Sequence, residues 1–214
     1  MVEQGAVNAK VPGSSPGRGA SKINMIQALL LDGDGVTLKK QGYFSEVYSK
    51  EYGVPLEKII PFFKNEFRKC QLGHGDVKDV LPAYLKEWGW EKSVDDFLQY
   101  WFASNTVADE AVLQKVQELR SKDVKCYLVT DQEKYRAQYS RQVLGFDKKF
   151  DGCFFSCELG VSKADPEFFK TVISKIGCEP DEVVYLDDEE GDVEAAKKLG
   201  VAAKLYSGVE DLKV

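Results

Sequence analysis

Three short apolar runs in this chain each end on carboxylate or hydroxyl residues, at Leu31-Asp32, Val129-Thr130-Asp131 and Leu186-Asp187-Asp188. Runs of strand length closed by acids and glycines suit a parallel sheet covered on both faces. Residues 153–156 and 201–206 read as two further strands. Between the runs, residues 111–121, 133–144, 166–176 and 193–199 carry apolar positions at helical spacing, with Gly145, Gly177 and Gly200 standing where helices end. Strands alternating with helices predict an α/β fold, a doubly wound and Rossmann-like parallel sheet.

One stretch breaks the rhythm. Residues 41–104 contain no clear strand but several amphipathic patterns rich in aromatics, among them Phe62, Phe63, Phe67, Trp88, Phe97 and Trp101. Large aromatics at helical spacing build cores, so this stretch reads as an all-helical insert with its own core rather than a cofactor box. The expected division is a catalytic core of residues 25–40 and 105–214 with a helical cap of residues 41–104. Because open α/β sheets bind ligands beyond the carboxyl ends of their strands, a lid inserted after the first strand is placed to cover such a site. Residues 1–24, rich in Gly, Ser, Pro and Ala without hydrophobic period, read as a disordered or mis-assigned extension, with Met25 as the expected initiator.

Composition narrows the partners. The chain has 214 residues, 43% of them hydrophobic, and a net charge of −6 without any Lys/Arg block, which argues against nucleic acid and anionic membrane surfaces. No apolar run approaches spanning length. The five cysteines are odd in number and the single histidine, His74, lies apart from them, so neither a disulfide framework nor a zinc site is expected. A soluble cytoplasmic protein, monomer or homodimer, is the expectation. His74 itself reads as a surface or cap residue.

The acids at the strand ends are the chemical signal. Asp32-Gly33-Asp34-Gly35 and Asp187-Asp188-Glu189-Glu190 would meet at one edge of the sheet, where carboxylates repel one another unless a cation or proton compensates. Any one such segment is an ordinary turn; the joint pattern marks a site.

That set resembles the haloacid dehalogenase-like superfamily, in its branch with a helical cap after the first strand. The resemblance rests on Leu31-Asp32-Gly33-Asp34-Gly35-Val36, on Leu128-Val129-Thr130, on Ser162-Lys163 ahead of a helix, and on Asp187-Asp188 running into Asp192-Val193-Glu194-Ala195. Residues 67–76 of the cap are similar to sugar-phosphate phosphatases and to the phosphatase domain of epoxide hydrolases. Two departures stand out: Ala164 in place of proline after the lysine, and Asp131 where Asn or Gly is commoner, which would set a negative charge near the phosphate.

The resemblance implies a Mg²⁺-dependent phosphatase acting on a small phosphorylated metabolite through an aspartyl-phosphate. Asp32 would be the nucleophile and Asp34 the general acid and base, with Thr130 and Lys163 completing the catalytic set. Mg²⁺ would be held by Asp32, the Asp34 main-chain carbonyl and Asp188, with Asp187 acting through water or from behind these ligands. Gly33, Asp131, Arg68 and Gln71 are the expected substrate contacts. A phosphomutase and a catalytically silent binding protein stay open as alternatives, whereas a dehalogenase has no use for the acid at Asp34.

Overall fold

The structure, a computed structural model, describes residues 25–213; the extension expected over residues 1–24 lies outside the described residues. Five strands, β1 (Ala28–Leu31), β2 (Lys125–Thr130), β3 (Gly152–Phe155), β4 (Val183–Asp187) and β5 (Ala202–Leu205), form one sheet in the order β3-β2-β1-β4-β5. Every pairing is parallel, with Leu31 level with Leu128 on one side and Leu186 on the other. The chain builds outward from β1 to β3, then returns to build outward through β5. The switch in direction falls at β1, where a doubly wound sheet opens its binding crevice.

The four residues of β1 are fully buried because both faces of the sheet are covered. Alternation along the strand sends Leu29 and Leu31 to one face and Ala28 and Leu30 to the other. The first face packs with Val112, Val116 and Leu119 of α6 (Glu110–Arg120), Ala137 of α7 (Lys134–Gln142), and Phe146 of α8 (Phe146–Lys149). The second packs with Phe168, Phe169 and Val172 of α10 (Pro166–Ile176) and Val193 and Ala196 of α11 (Glu190–Lys197).

The third expected strand ends one residue early. Ser156 opens a short helix, α9 (Ser156–Leu159), instead of closing β3. Its hydroxyl is occupied by Gln132 N–H at 3.0 Å and by the Gln71 carbonyl at 2.6 Å, which turns the chain away from the sheet.

The aromatic stretch folds into α1 (Phe44–Tyr52), α2 (Leu56–Lys64), α3 (Glu66–Gln71), α4 (Val77–Glu87) and α5 (Val94–Asn105) around its own core. Phe44 stacks on Trp101 at 5.1 Å and meets Phe97 edge-on at 5.6 Å, geometries that suit ring quadrupoles. The aromatics are packing residues, as their spacing implied. Two chain passages join this cap to the sheet, side by side: Leu38 bridges Ala108, Lys39 N–H donates to the Val107 carbonyl at 2.8 Å, and Asp109 N–H donates to the Thr37 carbonyl at 2.9 Å. The cap therefore hangs from a two-stranded connector directly after β1.

The chain's three tryptophans, Trp88, Trp90 and Trp101, all lie in the cap, so their fluorescence reports cap unfolding. Phe62 is fully buried among Phe63, Phe67, Tyr84 and Trp88. Phe62→Ala should lower cap stability by about 3–5 kcal/mol, the usual cost of emptying a phenylalanine site. Urea unfolding followed by tryptophan emission checks this, and an unchanged midpoint would contradict the packing described.

Candidate active site

The carboxyl ends of β1, β2 and β4 converge, and the loop after each carries the polar groups. After β1 the chain makes a tight turn in which Thr37 donates from both its backbone N–H and its hydroxyl, at 3.2 and 2.7 Å, to the Asp32 carbonyl, while Leu38 N–H closes on the Gly33 carbonyl at 2.7 Å. Two glycines make room. A side chain at Gly33 would stand 2.7 Å from the Thr130 hydroxyl, and one at Gly35, where φ is +93°, would stand 2.5 Å from the Asp188 carboxyl carbon. The turn can thus lie against both neighbouring strand ends at once.

Lys163 is at the centre of the cluster. Its loop is fixed from two sides: Lys163 N–H donates to the Asp131 carboxylate at 3.0 Å, and Asp165 caps α10 through Glu167 N–H at 2.9 Å, with Pro166 in the first helical turn. The buried ammonium pairs with Asp32, with Asp187 at 2.7 Å and with Asp192 at 3.2 Å. Burial works against its charge, but Asp32, Tyr185, Asp187 and Asp192 outweigh burial and hold it well above the ordinary lysine range. Asp32 is itself buried, which pushes its carboxyl up against the pull of Lys163, and the Asp187 charge pushes the same way. One ammonium among several carboxylates leaves the cluster short of positive charge.

The two acids at the end of β4 differ in environment. Asp187 is fully buried, and its carboxylate accepts from Lys163, from the Tyr185 hydroxyl and, at 2.8 Å, from Glu189 N–H. Asp188 is less enclosed and takes only the exposed Lys40 ammonium, at 2.7 Å, among the described residues. Oxygens of Asp32, Asp187 and Asp188 all lie within 4.8 Å of one another. Hard oxygen donors in an under-compensated cluster fit a divalent cation such as Mg²⁺. The Asp187 oxygens are largely taken by protein donors, whereas Asp188 meets only Lys40 among the described residues.

The other expected residues fall into two groups. Thr130 and Gly33 adjoin each other beside Asp32. Arg68 and Gln71, on α3, line with Leu72, Asp131 and Ser162 a cavity of about 200 Å³ at the seam between cap and core. Gln71 also holds the seam, donating to the Asp131 carbonyl at 3.0 Å and receiving Arg68 at 3.1 Å. A larger, shallow depression of about 510 Å³ on the cap, around Leu85, Trp90 and Val94, holds none of these residues. His74 is exposed, in the turn after α3. Asp131 spends one carboxylate oxygen on Lys163 N–H, and burial raises its pKa against the pull of Lys163 and Arg68.

Three participants were not singled out from the sequence. Asp192, in the first turn of α11, pairs with Lys163. Its signal was its place one helical turn beyond the acidic pair. Gln132 and Arg136 reach Asp34, at 2.7 Å and at 2.8 and 2.6 Å respectively. Nothing local marks them, because those contacts span 98 and 102 residues of sequence.

A doubly wound parallel sheet carrying an acid cluster at its switch point, under a helical insert, is a capped Rossmann-like α/β fold. Residues 26–200 match the haloacid dehalogenase-like hydrolase family, and the chain belongs to it. It is 25% identical over 195 residues to the phosphorylated carbohydrates phosphatase of Thermotoga maritima, covering 87% of each chain. It is 32% identical over 206 residues to flavin mononucleotide hydrolase 1 of Arabidopsis thaliana, covering 94% of this chain and 80% of that protein. Its fold superposes on a HAD family enzyme of Bacteroides thetaiotaomicron, solved with magnesium and inorganic phosphate, with a TM-score of 0.71 at 20% identity over 85% of this chain and 94% of that one. Among the described residues no helix is long and apolar enough to cross a membrane.

The unequal settings of the two β4 acids separate their roles. Asp187→Ala removes one of the three carboxylates around the buried Lys163 ammonium and leaves the buried Tyr185 hydroxyl without its acceptor, and should destabilise the fold by about 1–3 kcal/mol. Asp188→Ala should leave the melting temperature nearly unchanged and weaken Mg²⁺ binding. Thermal melts paired with Mg²⁺ titration calorimetry check both, and the reverse ranking would refute the assignment.

Proposed function

We propose that this protein is a Mg²⁺-dependent phosphatase that hydrolyses a small phosphorylated metabolite through an aspartyl-phosphate on Asp32. The observation that carries the reading is the buried Asp32–Lys163 pair at the sheet's switch point, with Asp187 and Asp188 converging on the same place. Phosphate esters repel nucleophiles, so a catalyst needs concentrated positive charge and a fixed in-line nucleophile more than it needs reactive groups. One relative is named a phosphatase of phosphorylated carbohydrates and the other a hydrolase of flavin mononucleotide, itself a small phosphorylated molecule, which supports the substrate class.

An Asp32 carboxylate oxygen attacks phosphorus while the bond from phosphorus to the substrate oxygen breaks. That oxygen takes a proton from Asp34 and leaves as an alcohol. Water then attacks the same phosphorus, its proton passes to Asp34, and the bond to Asp32 breaks to release inorganic phosphate. Lys163 holds the Asp32 carboxylate in place and adds positive charge beside the phosphoryl group. Thr130 offers a hydroxyl, and Gly33, having no side chain, leaves the space beside that hydroxyl free. Asp32, Asp188 and the Asp34 carbonyl would hold Mg²⁺, with Asp187 behind them; the ion would supply further charge neutralisation on the phosphoryl oxygens. Arg68, Gln71 and Asp131, around the seam cavity, are the groups nearest to where the rest of a small substrate would sit.

Asp32→Asn should abolish turnover with the fold intact, since it removes the nucleophile at almost constant volume. Substantial activity in a correctly folded Asp32→Asn protein, measured by phosphate release, would end the covalent reading. Activity should also require Mg²⁺ and disappear with excess chelator. With sugar phosphates as substrates, phosphate should exceed isomerised sugar phosphate; the opposite product ratio would make the protein a mutase.

A further inference from the structure

Asp34 is anchored by a residue that no strand-end motif contains. Its side chain, about half exposed at 49%, sits in the Gly33-Asp34-Gly35 turn with no support from its own loop. Arg136, on the first turns of α7 and 6% exposed, grips it with a two-pronged fork: one terminal nitrogen donates to Oδ2 at 2.8 Å and the other to Oδ1 at 2.6 Å. Gln132 adds a third bond, to Oδ2 at 2.7 Å. Planar guanidinium forks fix a carboxylate in orientation as well as in place.

The same guanidinium reaches the cap's return passage. Its Nε donates to the Thr106 hydroxyl at 3.3 Å, and the nitrogen bound to Oδ1 also donates to the Asn105 carbonyl at 3.3 Å. Asn105 in turn donates from its side-chain amide to the Gly42 carbonyl of the outgoing passage at 3.1 Å. Arg136 itself is held at the start of α7 by Glu133, whose buried carboxylate accepts Arg136 N–H at 2.6 Å and Tyr135 N–H at 2.8 Å. A buried arginine is costly unless its donors are used, and here they join the acid–base turn to both cap passages.

We propose that Arg136 is a positioning residue for Asp34, tying the orientation of that carboxylate to the seat of the cap's connector at Asn105 and Thr106. This rests on the reading of Asp34 as general acid and base. Oδ2 accepts two donors and Oδ1 one, so Oδ1 keeps a lone pair directed away from the fork and is the oxygen left to exchange a proton with the leaving group and with water. Arg136 touches no reacting atom. It acts by holding Asp34 where a proton can be passed in both halves of the reaction, and displacement of such a group by about 1 Å costs on the order of 10²-fold in rate.

The test uses the full chain with Mg²⁺ and compares Arg136→Met, Arg136→Lys, Asp34→Asn and the Asp34→Asn/Arg136→Met double variant. The substrates are an aryl phosphate with a good leaving group and an alkyl phosphate with a poor one. Loss of acid assistance matters more for the alkyl ester, so Arg136→Met should lower its kcat by about 10²-fold, with a smaller effect on formation of the aspartyl-phosphate from the aryl ester. The aryl ester should then give a burst of leaving group followed by slow turnover, because water still needs Asp34. In the Asp34→Asn background, Arg136→Met should cost almost nothing further, since the two residues act as one unit. Mg²⁺ affinity by calorimetry should not change. If Arg136→Met fails to fold, Arg136→Lys decides the matter: it keeps the charge without the fork and should show the same leaving-group dependence. Equal losses for both esters, or additive losses in the double variant, would overturn the proposal. If Asp34→Asn alone turns over both esters like the wild type, the acid–base reading of Asp34 is what fails, and the two failures are thereby told apart.

Discussion

The Lys163 ammonium is shared by Asp32 of β1's loop, Asp187 of β4 and Asp192 of α11, and this one buried charge joins the loop after β1 to a strand and its following helix that lie far from it in sequence. Desolvated charges of one sign could not be assembled there without it. Its own loop is tied to the end of β2 through Asp131. Every strand end that contributes to the site is thus fastened to the same residue, through the Lys163 ammonium or its backbone N–H. The cluster remains short of positive charge even so, and that deficit is what suits it to a cation.

The sheet makes such a cluster possible. A parallel sheet covered by helices on both faces leaves only the ends of its strands open, and reversal of strand order at β1 separates the neighbouring helices there. Leu31, Leu128 and Leu186 stand level across β1, β2 and β4, so the next residues of each strand emerge together. The absence of side chains at Gly33 and Gly35 then lets the β1 turn touch Thr130 on one side and Asp188 on the other. Precision at the site follows from rigid register below it.

The cap adds a second layer with an independent core. Its aromatic cluster needs nothing from the sheet to be satisfied, which lets the cap stand on a narrow connector. Its contacts with the core combine apolar packing, with Tyr135 and Tyr139 of α7 against the cluster and Phe102 5.5 Å from the Tyr139 ring, with specific polar bonds: Gln71 with the end of β2 and Ser156, Asp76 with Lys134 and Tyr135, and Arg136 with Asn105 and Thr106.

By itself the sequence determined the α/β fold, the helical insert after the first strand, and the acids and lysine of the site. Those features are written locally: apolar runs of strand length, helical spacing of aromatics, and carboxylates at the point where each run stops. What only the tertiary structure decided is how the polar groups are partnered. Asp187 and Asp188 are adjacent and chemically identical, yet alternation along β4 buries one against Lys163 and Tyr185 while the other turns toward Lys40 and the Gly35 turn. Asp131 looked like an unwelcome charge and proved to be an acceptor for the Lys163 backbone. Arg136 read as one more polar residue of an amphipathic helix, and became the anchor of Asp34 only because α7 is packed beside the β1 turn, 102 residues away along the chain. Hydrophobic period fixes which face of an element is buried, but the partner of a buried charge depends on where other elements come to rest, and no local pattern encodes that.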